Sequence, residues 1–172
     1  MIIVGDLYMS SNENIKVMSD EYFTFVIEIL KQGQIARLNV VGTSMNPFIS
    51  THKDSVDLIA AGFSDIHRSD IVLYQRRNGQ YVLHRVFKKT DNQFYMLGDA
   101  QSFIEGPLYP NQVIAKAIAI NKKKASFLNK SNSTIACDSL RWRVVSQIWL
   151  LLRPFRRGIM KSYLFLMRRP KK

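Results

Sequence analysis

A mainly β fold, opened by a short helix and closed by a basic helical tail, is predicted by three observations. Between residues 34 and 121 apolar side chains recur mostly with period two, Asn78-Gly79 and Asp91-Asn92 separate successive runs, and no acidic residue follows Asp138. The chain has 172 residues, enough for one ordinary domain plus an appendage. Apolar residues make up 47% and charged residues 22%, close to globular averages, which argues against disorder and against collagen-like or coiled-coil architectures.

The elements follow in order. Residues 1–18 hold Ser10, Ser11, Asn12 and Asn14 with no sustained period and read as an irregular leader. Ser19 or Asp20 can cap a short helix whose apolar face is Tyr22, Phe23, Val26, Ile27, Ile29 and Leu30, with Gly33 just past its end. Strand periodicity then covers 34–41, 56–60, 71–77, 80–89, 93–97 and 113–121, so that 19–121 forms a β-rich body. Asn78-Gly79 suits a two-residue type I′ turn because both central positions need positive φ. Asp91-Asn92 tolerates left-handed backbone and makes a second hairpin, giving a meander through 71–97. In 139–167 Trp and other apolar residues alternate with Arg, and Pro154 divides the segment into two helical pieces of a tail spanning 122–172.

Charge divides the chain in the same place. Residues 1–120 carry 11 Lys+Arg against 12 Asp+Glu, and residues 121–172 carry 14 against Asp138 alone, so the net +12 is held by the tail. A nearly neutral body argues against a general nucleic-acid surface, and a concentrated basic tail points to a local anionic partner. One cysteine, Cys137, allows neither an internal disulfide nor a cysteine-rich zinc site, and reads as a structural or surface thiol. No run of 18 uncharged apolar residues exists, and neither a cleaved signal nor an N-terminal anchor is legible.

Three polar residues interrupt the strand pattern. Ser44 lies in Gly42-Thr43-Ser44-Met45-Asn46-Pro47, where a strand ends in a glycine- and proline-bounded turn that exposes a hydroxyl and holds it. Taken alone, such a serine is a turn former. Alternation puts His84 on one face with Val82 and Val86, and Arg85 on the other with Leu83 and Phe87; taken alone, His84 is a packed core histidine. If Asp91-Asn92 is a two-residue loop, unbroken pairing sets Asp99 directly opposite His84, with Cβ atoms about 5 Å apart. A carboxylate there can accept the imidazole N–H and fix its tautomer. Asp99 alone, after Gly98, is a turn residue, but the three together make the pattern of nucleophile, base and orienter.

The ordered boxes Gly42-Thr43-Ser44-Met45-Asn46-Pro47, Ser69-Asp70-Ile71-Val72, His84-Arg85-Val86 and Gly98-Asp99 resemble those of the signal peptidase I family and its relatives, the self-cleaving repressors. The similarity runs from about residue 35 to 120. Histidine at position 84, where the bacterial branch has lysine, matches the archaeal and endoplasmic-reticulum branch. The resemblance implies a β-rich peptidase fold with Ser44 as nucleophile, His84 as base and Asp99 as partner, and Glu105 as the nearest candidate for a further acidic residue. Ser69 and Ala100 stand where the family usually has Gly and Asn.

These readings imply a serine endopeptidase that cleaves a precursor, signal or leader peptide through an acyl-enzyme on Ser44, with no cofactor and no metal. The Ser44 backbone N–H, with the Thr43 hydroxyl or N–H, is the expected oxyanion hole, and Met45 the expected wall of the substrate pocket. Extended substrates are expected along a strand edge. His52 and His67 read as surface residues. The tail suits peripheral attachment to an anionic membrane surface better than nucleic acid, and the absence of a legible anchor is compatible with the cytoplasmic face. The competing readings are a tail packed on the body, and a non-catalytic peptide- or membrane-binding module in which Ser44, His84 and Asp99 are structural.

Overall fold

The structure, a computed structural model, describes residues 12–123 and 133–167. Helix α1 (Asn12–Lys31) begins well before the expected cap at Ser19 or Asp20 and ends at Gly33, whose φ of 75° is the left-handed conformation of a helix stop. The expected irregular leader is thus helical from residue 12, and residues 1–11 lie outside the described residues. In this added stretch Glu13, Lys16 and Met18 are helix formers, and neither Gly nor Pro interrupts it. Phe23, Val26 and Leu30 are buried along one stripe of α1, and the Phe23 ring stacks on Tyr81 at 3.9 Å.

The body is mainly β, one antiparallel sheet of eight strands: β1 (Ala36–Asn39), β2 (Ser55–Ala60), β3 (Ile71–Gln75), β4 (Tyr81–Lys89), β5 (Phe94–Leu97), β6 (Glu105–Leu108), β7 (Val113–Lys122) and β8 (Ser133–Ala136). Their order is β1-β2-β7-β3-β4-β5-β6, with β8 added to β7. All six expected strands and the meander through 71–97 are present. Two short strands, β6 and β8, were not expected.

Both hairpins exist, but one turn differs from the expected type. Arg76 N–H donates to the Gln80 carbonyl at 2.8 Å and Gly79 N–H to the Arg76 carbonyl at 2.9 Å, which leaves three loop residues. Of these Gly79 alone has positive φ, 87°, the pattern of a type I turn followed by a left-handed glycine. The extra residue sets the β3–β4 register so that His84 pairs with Val72 and Tyr74 with Val82. At Asp91-Asn92 the two-residue loop is as expected, with Thr90 N–H donating to the Gln93 carbonyl at 2.9 Å.

The sheet has a core on each face. Leu38, Leu58, Leu73, Leu83, Ile120 and their neighbours pack with α1 in the larger one. Val72, Tyr74, Val82, Val86, Phe94 and Met96 form the smaller. Successive β4 residues therefore point into different environments, His84 toward Tyr74 and Arg85 toward the other side.

The tail divides at Pro154 as expected. Helix α2 (Leu140–Leu151) is capped by the Ser139 side chain, a 3-10 turn spans Arg153–Phe155, and helix α3 (Arg156–Met167) follows. However, α2 is not an appendage. Trp142, Ser146 and Trp149, one helical turn apart, are buried against the body, and Arg156 is 1% exposed. Trp149 Nε1–H donates to the Asp99 carbonyl at 3.1 Å, and Arg156 donates to the carbonyls of Gly98 and Trp149. Burial pushes the Arg156 guanidinium down to about 10. The inner face of α2 therefore belongs to the same packed unit as the sheet.

Candidate active site

Ser44 follows β1 in a compact turn closed by Asn46 N–H to the Thr43 carbonyl (3.1 Å) and Ile49 N–H to the Met45 carbonyl (3.0 Å). Gly42, φ 101°, starts the turn, and its N–H donates to the Thr51 hydroxyl. A second backbone segment supports it, because Ala100 N–H donates to the Ser44 carbonyl at 2.8 Å. Thr43 is exposed and Ser44 nearly buried. Met45, expected as a pocket wall, is instead fully buried in the larger core, where it fastens the turn to the body.

Ser44 Oγ lies 3.1 Å from His84 Nε2, although the two residues are 40 positions apart in the chain. The other ring nitrogen, Nδ1, lies 3.1 Å from the Tyr74 hydroxyl, which donates to Glu105 Oε2 at 2.9 Å. Arg76 holds that carboxylate from the far side with two hydrogen bonds of 2.6 Å, Nε to Oε1 and Nη2 to Oε2. Strands β3, β4 and β6, the turn after β1 and the start of the β3–β4 loop thus bring Tyr74, His84, Glu105, Ser44 and Arg76 into one line.

The electrostatics follow from burial. His84 is fully buried, which pushes its imidazole down to about 3 against the opposing pull of the Glu105 carboxylate, 3.9 Å away. Burial would raise the Glu105 carboxyl, but hydrogen bonds from Arg76 and Tyr74 outweigh it and hold the group below the ordinary carboxylate range. Burial first, and then the Glu105 charge, push the Tyr74 phenol above the usual tyrosine range. At neutral pH the line therefore consists of a neutral imidazole, a neutral phenol, a carboxylate and a guanidinium.

Asp99 is not in that line. It forms a fully buried bidentate pair with Arg85, Nε to Oδ1 and Nη2 to Oδ2 both at 2.8 Å. The expected His84–Asp99 opposition fails because Phe87 is an extra residue in β4. Lys88 pairs with Tyr95 and Lys89 with Phe94, but beyond the bulge Val86 pairs with Met96 and Arg85 with Leu97. The slip carries Asp99 out of register with His84 and past the end of β5. Glu105, the further acid suggested by resemblance, is the carboxylate nearest His84 among the described contacts, and it reaches the site from the unforeseen β6.

Sequence reading missed Tyr74 and Arg76 altogether. A usable signal for Tyr74 was its place in an otherwise apolar run, since a buried tyrosine hydroxyl needs a hydrogen-bond partner. His52 and His67 are exposed, as expected. Cys137 is half-buried, and burial pushes its thiol up to about 12. A cleft of about 600 Å³ opens beyond Glu105, between Arg76, Asn78, Pro107 and Gln112. Neither Ser44 nor His84 lines it, so it is not where a group bonded to Ser44 would lie.

A hydroxyl within hydrogen-bond distance of a neutral, buried, oriented imidazole is an arrangement that can support general-base activation of the hydroxyl. Comparison with known proteins found no matching family model, no matching curated protein and no matching solved structure.

Proposed function

We propose that this protein is a serine endopeptidase resembling signal peptidase, with Ser44 as nucleophile and His84 as base. The observation that carries the reading is the 3.1 Å approach of Ser44 Oγ to His84 Nε2, with the opposite ring nitrogen tied through Tyr74 to a carboxylate. Ser44 Oγ bonds to the peptide carbonyl carbon as its proton passes to Nε2. The tetrahedral intermediate collapses when that proton goes to the departing amine, leaving an ester on Ser44. Water then attacks the ester, gives its proton to Nε2 and releases the acid, and the proton returns to Ser44. The positive charge on His84 in each transition state is met by Glu105. In this reading the oxyanion hole remains the Ser44 N–H with Thr43. Among the described residues β1 pairs with a strand on one side only, so an extended precursor has an edge to lie on a few residues before Ser44.

The test is incubation of the purified protein with a library of extended peptides carrying small residues, beside Ser44→Ala and His84→Ala. Products from the wild type that both variants fail to make support the peptidase. Identical products from all three return Ser44 and His84 to a non-catalytic binding module.

The location we propose for this activity is an anionic membrane surface, reached through α2. Its outward face carries exposed Leu140, Val144, Ile148 and Leu151, continued by Phe155, where a helix packed on a soluble body ordinarily has polar residues. Arg141 and Arg143 flank this stripe, and residues 139–172 hold no acid. An apolar stripe between cations suits a helix lying in the headgroup region. No helix among the described residues is long and apolar enough to cross a membrane.

A further inference from the structure

Which ring nitrogen of His84 carries the proton decides whether Ser44 can be activated, and the residues around it leave little choice. Glu105, held as a carboxylate by Arg76, can only accept hydrogen bonds. Tyr74 has one proton, and it goes to Glu105 Oε2. What the phenol presents to His84 is therefore a lone pair, and Nδ1 at 3.1 Å makes a hydrogen bond only if it is the protonated nitrogen. A neutral imidazole protonated at Nδ1 has its lone pair at Nε2, which faces Ser44 Oγ. With all donors pointing the same way, the Ser44 hydroxyl donates to His84, His84 to Tyr74, and Tyr74 to Glu105.

We propose that Tyr74 is a positioning residue that transmits the charge of Glu105 to His84 as a fixed tautomer, rather than a core residue that happens to lie beside it. Glu105 does not touch the ring closely, its Oε2 standing 3.9 Å from Nδ1. The phenol fills that gap and orients the imidazole. Both Tyr74 and His84 are fully buried, so water cannot substitute for the missing partner without rearrangement. Its catalytic importance rests on the peptidase reading above, while the tautomer assignment does not.

The experiment is long-range ¹H–¹⁵N correlation of the histidine rings near neutral pH, which distinguishes protonated from unprotonated nitrogens by their widely separated shifts. The chain has only three histidines, and His52 and His67 are exposed. His84 is expected as the Nδ1–H form in the wild type. Tyr74→Phe is expected to lose that preference, with Nε2–H appearing. Glu105→Gln gives a second arm, since its amide can donate to Tyr74, turn the phenol proton toward Nδ1 and drive His84 to Nε2–H. Nδ1–H in the wild type with a change in either folded variant supports the assignment. Nε2–H in the wild type, or Nδ1–H unchanged in both variants, overturns it. In the peptide assay, Tyr74→Phe is expected to lower kcat by roughly 10²-fold with little change in KM, within the range for general-base assistance. If the tautomer shifts while Ser44→Ala still cleaves, the peptidase reading fails and the Tyr74 assignment stands.

Discussion

Arg85 and Asp99 face each other as a fully buried, doubly hydrogen-bonded ion pair, one β4 residue away from His84, whose partner Asp99 was expected to be. The Arg85 guanidinium also donates to the Ser69 carbonyl and the Ser146 hydroxyl. It lies over the rings of Phe48 and Trp142 at 5.6 and 5.2 Å. The pair therefore joins the Ser44 turn, the segment after β5 and helix α2, and leaves the orientation of His84 to Tyr74 and Glu105.

Asp99→Ala consequently acts on stability before it acts on chemistry. Removing one partner leaves a buried guanidinium uncompensated, a loss of about 3–5 kcal/mol in unfolding free energy. Urea denaturation checks this, and a paired Arg85→Met, Asp99→Leu variant should recover much of the loss. Were Asp99 the orienter of His84, Asp99→Ala would show near-normal stability and a collapse in kcat, the opposite result.

Acid sensitivity follows from His84. Its value falls from 6.5 in the unfolded chain to about 3 in the folded one, so between those values the unfolded state binds the extra proton. Stability contributed by the neutral, buried ring is complete above the unfolded value and is lost as pH drops from about 6.5 toward 3. Glu105, depressed below 4.5, loses its contribution in the lower part of the same window. Among the described residues, the groups gathered around the ring are Tyr74 from β3, Arg76 just past the end of β3, Glu105 from β6 and the Ser44 hydroxyl. Melting temperature is expected to fall from pH 7 to pH 4, and less so in His84→Gln. The acid limb of activity should lie well below the pH 6–7 region that an ordinary histidine base predicts.

Gly98 is a site of close approach. A Cβ there would stand 2.8 Å from the Ser44 carbonyl oxygen and 2.6 Å from the Gln101 amide oxygen. The Gln101 side chain can move, but the Ser44 carbonyl is fixed by Ala100 N–H at 2.8 Å. Gly98→Ala is expected to cost about 1–3 kcal/mol and to displace the turn that carries Ser44. Gly158→Ala, in α3 with nothing within 4 Å, is the opposite case and should stabilise by about 0.5–1 kcal/mol. Parallel thermal melts of the two variants measure the contrast.

Most of the sheet was legible because period-two patterning marks a strand wherever one face is buried. β6 escaped because Glu105-Gly106-Pro107-Leu108 combines the two residues that ordinarily interrupt strands, and β8 because Ser133–Ala136 has a single large apolar residue, Ile135, and no alternation around it. The approach of Ser44 to His84 was suggested by their residue types, whereas the group on the other ring nitrogen depended on register. Nothing in Val86-Phe87-Lys88 announces a bulge, yet that one residue replaces Asp99 with the Tyr74–Glu105 link. Arg85 did carry a signal. Alternation placed it beside Leu83 on a packed face, where a charge requires a buried counter-charge.

The outward face of α2 can be tested without disturbing the core, whereas deletion of residues 139–172 cannot, because Trp142, Ser146 and Trp149 are buried against the sheet. Ile148 and Leu151 are 50% and 69% exposed, so Ile148→Gln with Leu151→Gln should leave the melting temperature unchanged. In co-sedimentation with vesicles, wild-type protein is expected to bind phosphatidylcholine–phosphatidylglycerol mixtures more tightly than phosphatidylcholine alone. Each glutamine removes about 1–2 kcal/mol of apolar transfer, so the double variant should bind roughly 30- to 1,000-fold more weakly to either. Arg141→Gln with Arg143→Gln should weaken binding to the anionic vesicles alone, by about 1 kcal/mol per charge near the surface. Equal sedimentation of wild type and the Ile148, Leu151 variant would remove the stripe as the docking face. Binding to single-stranded nucleic acid without any to vesicles would transfer the basic tail to a different partner.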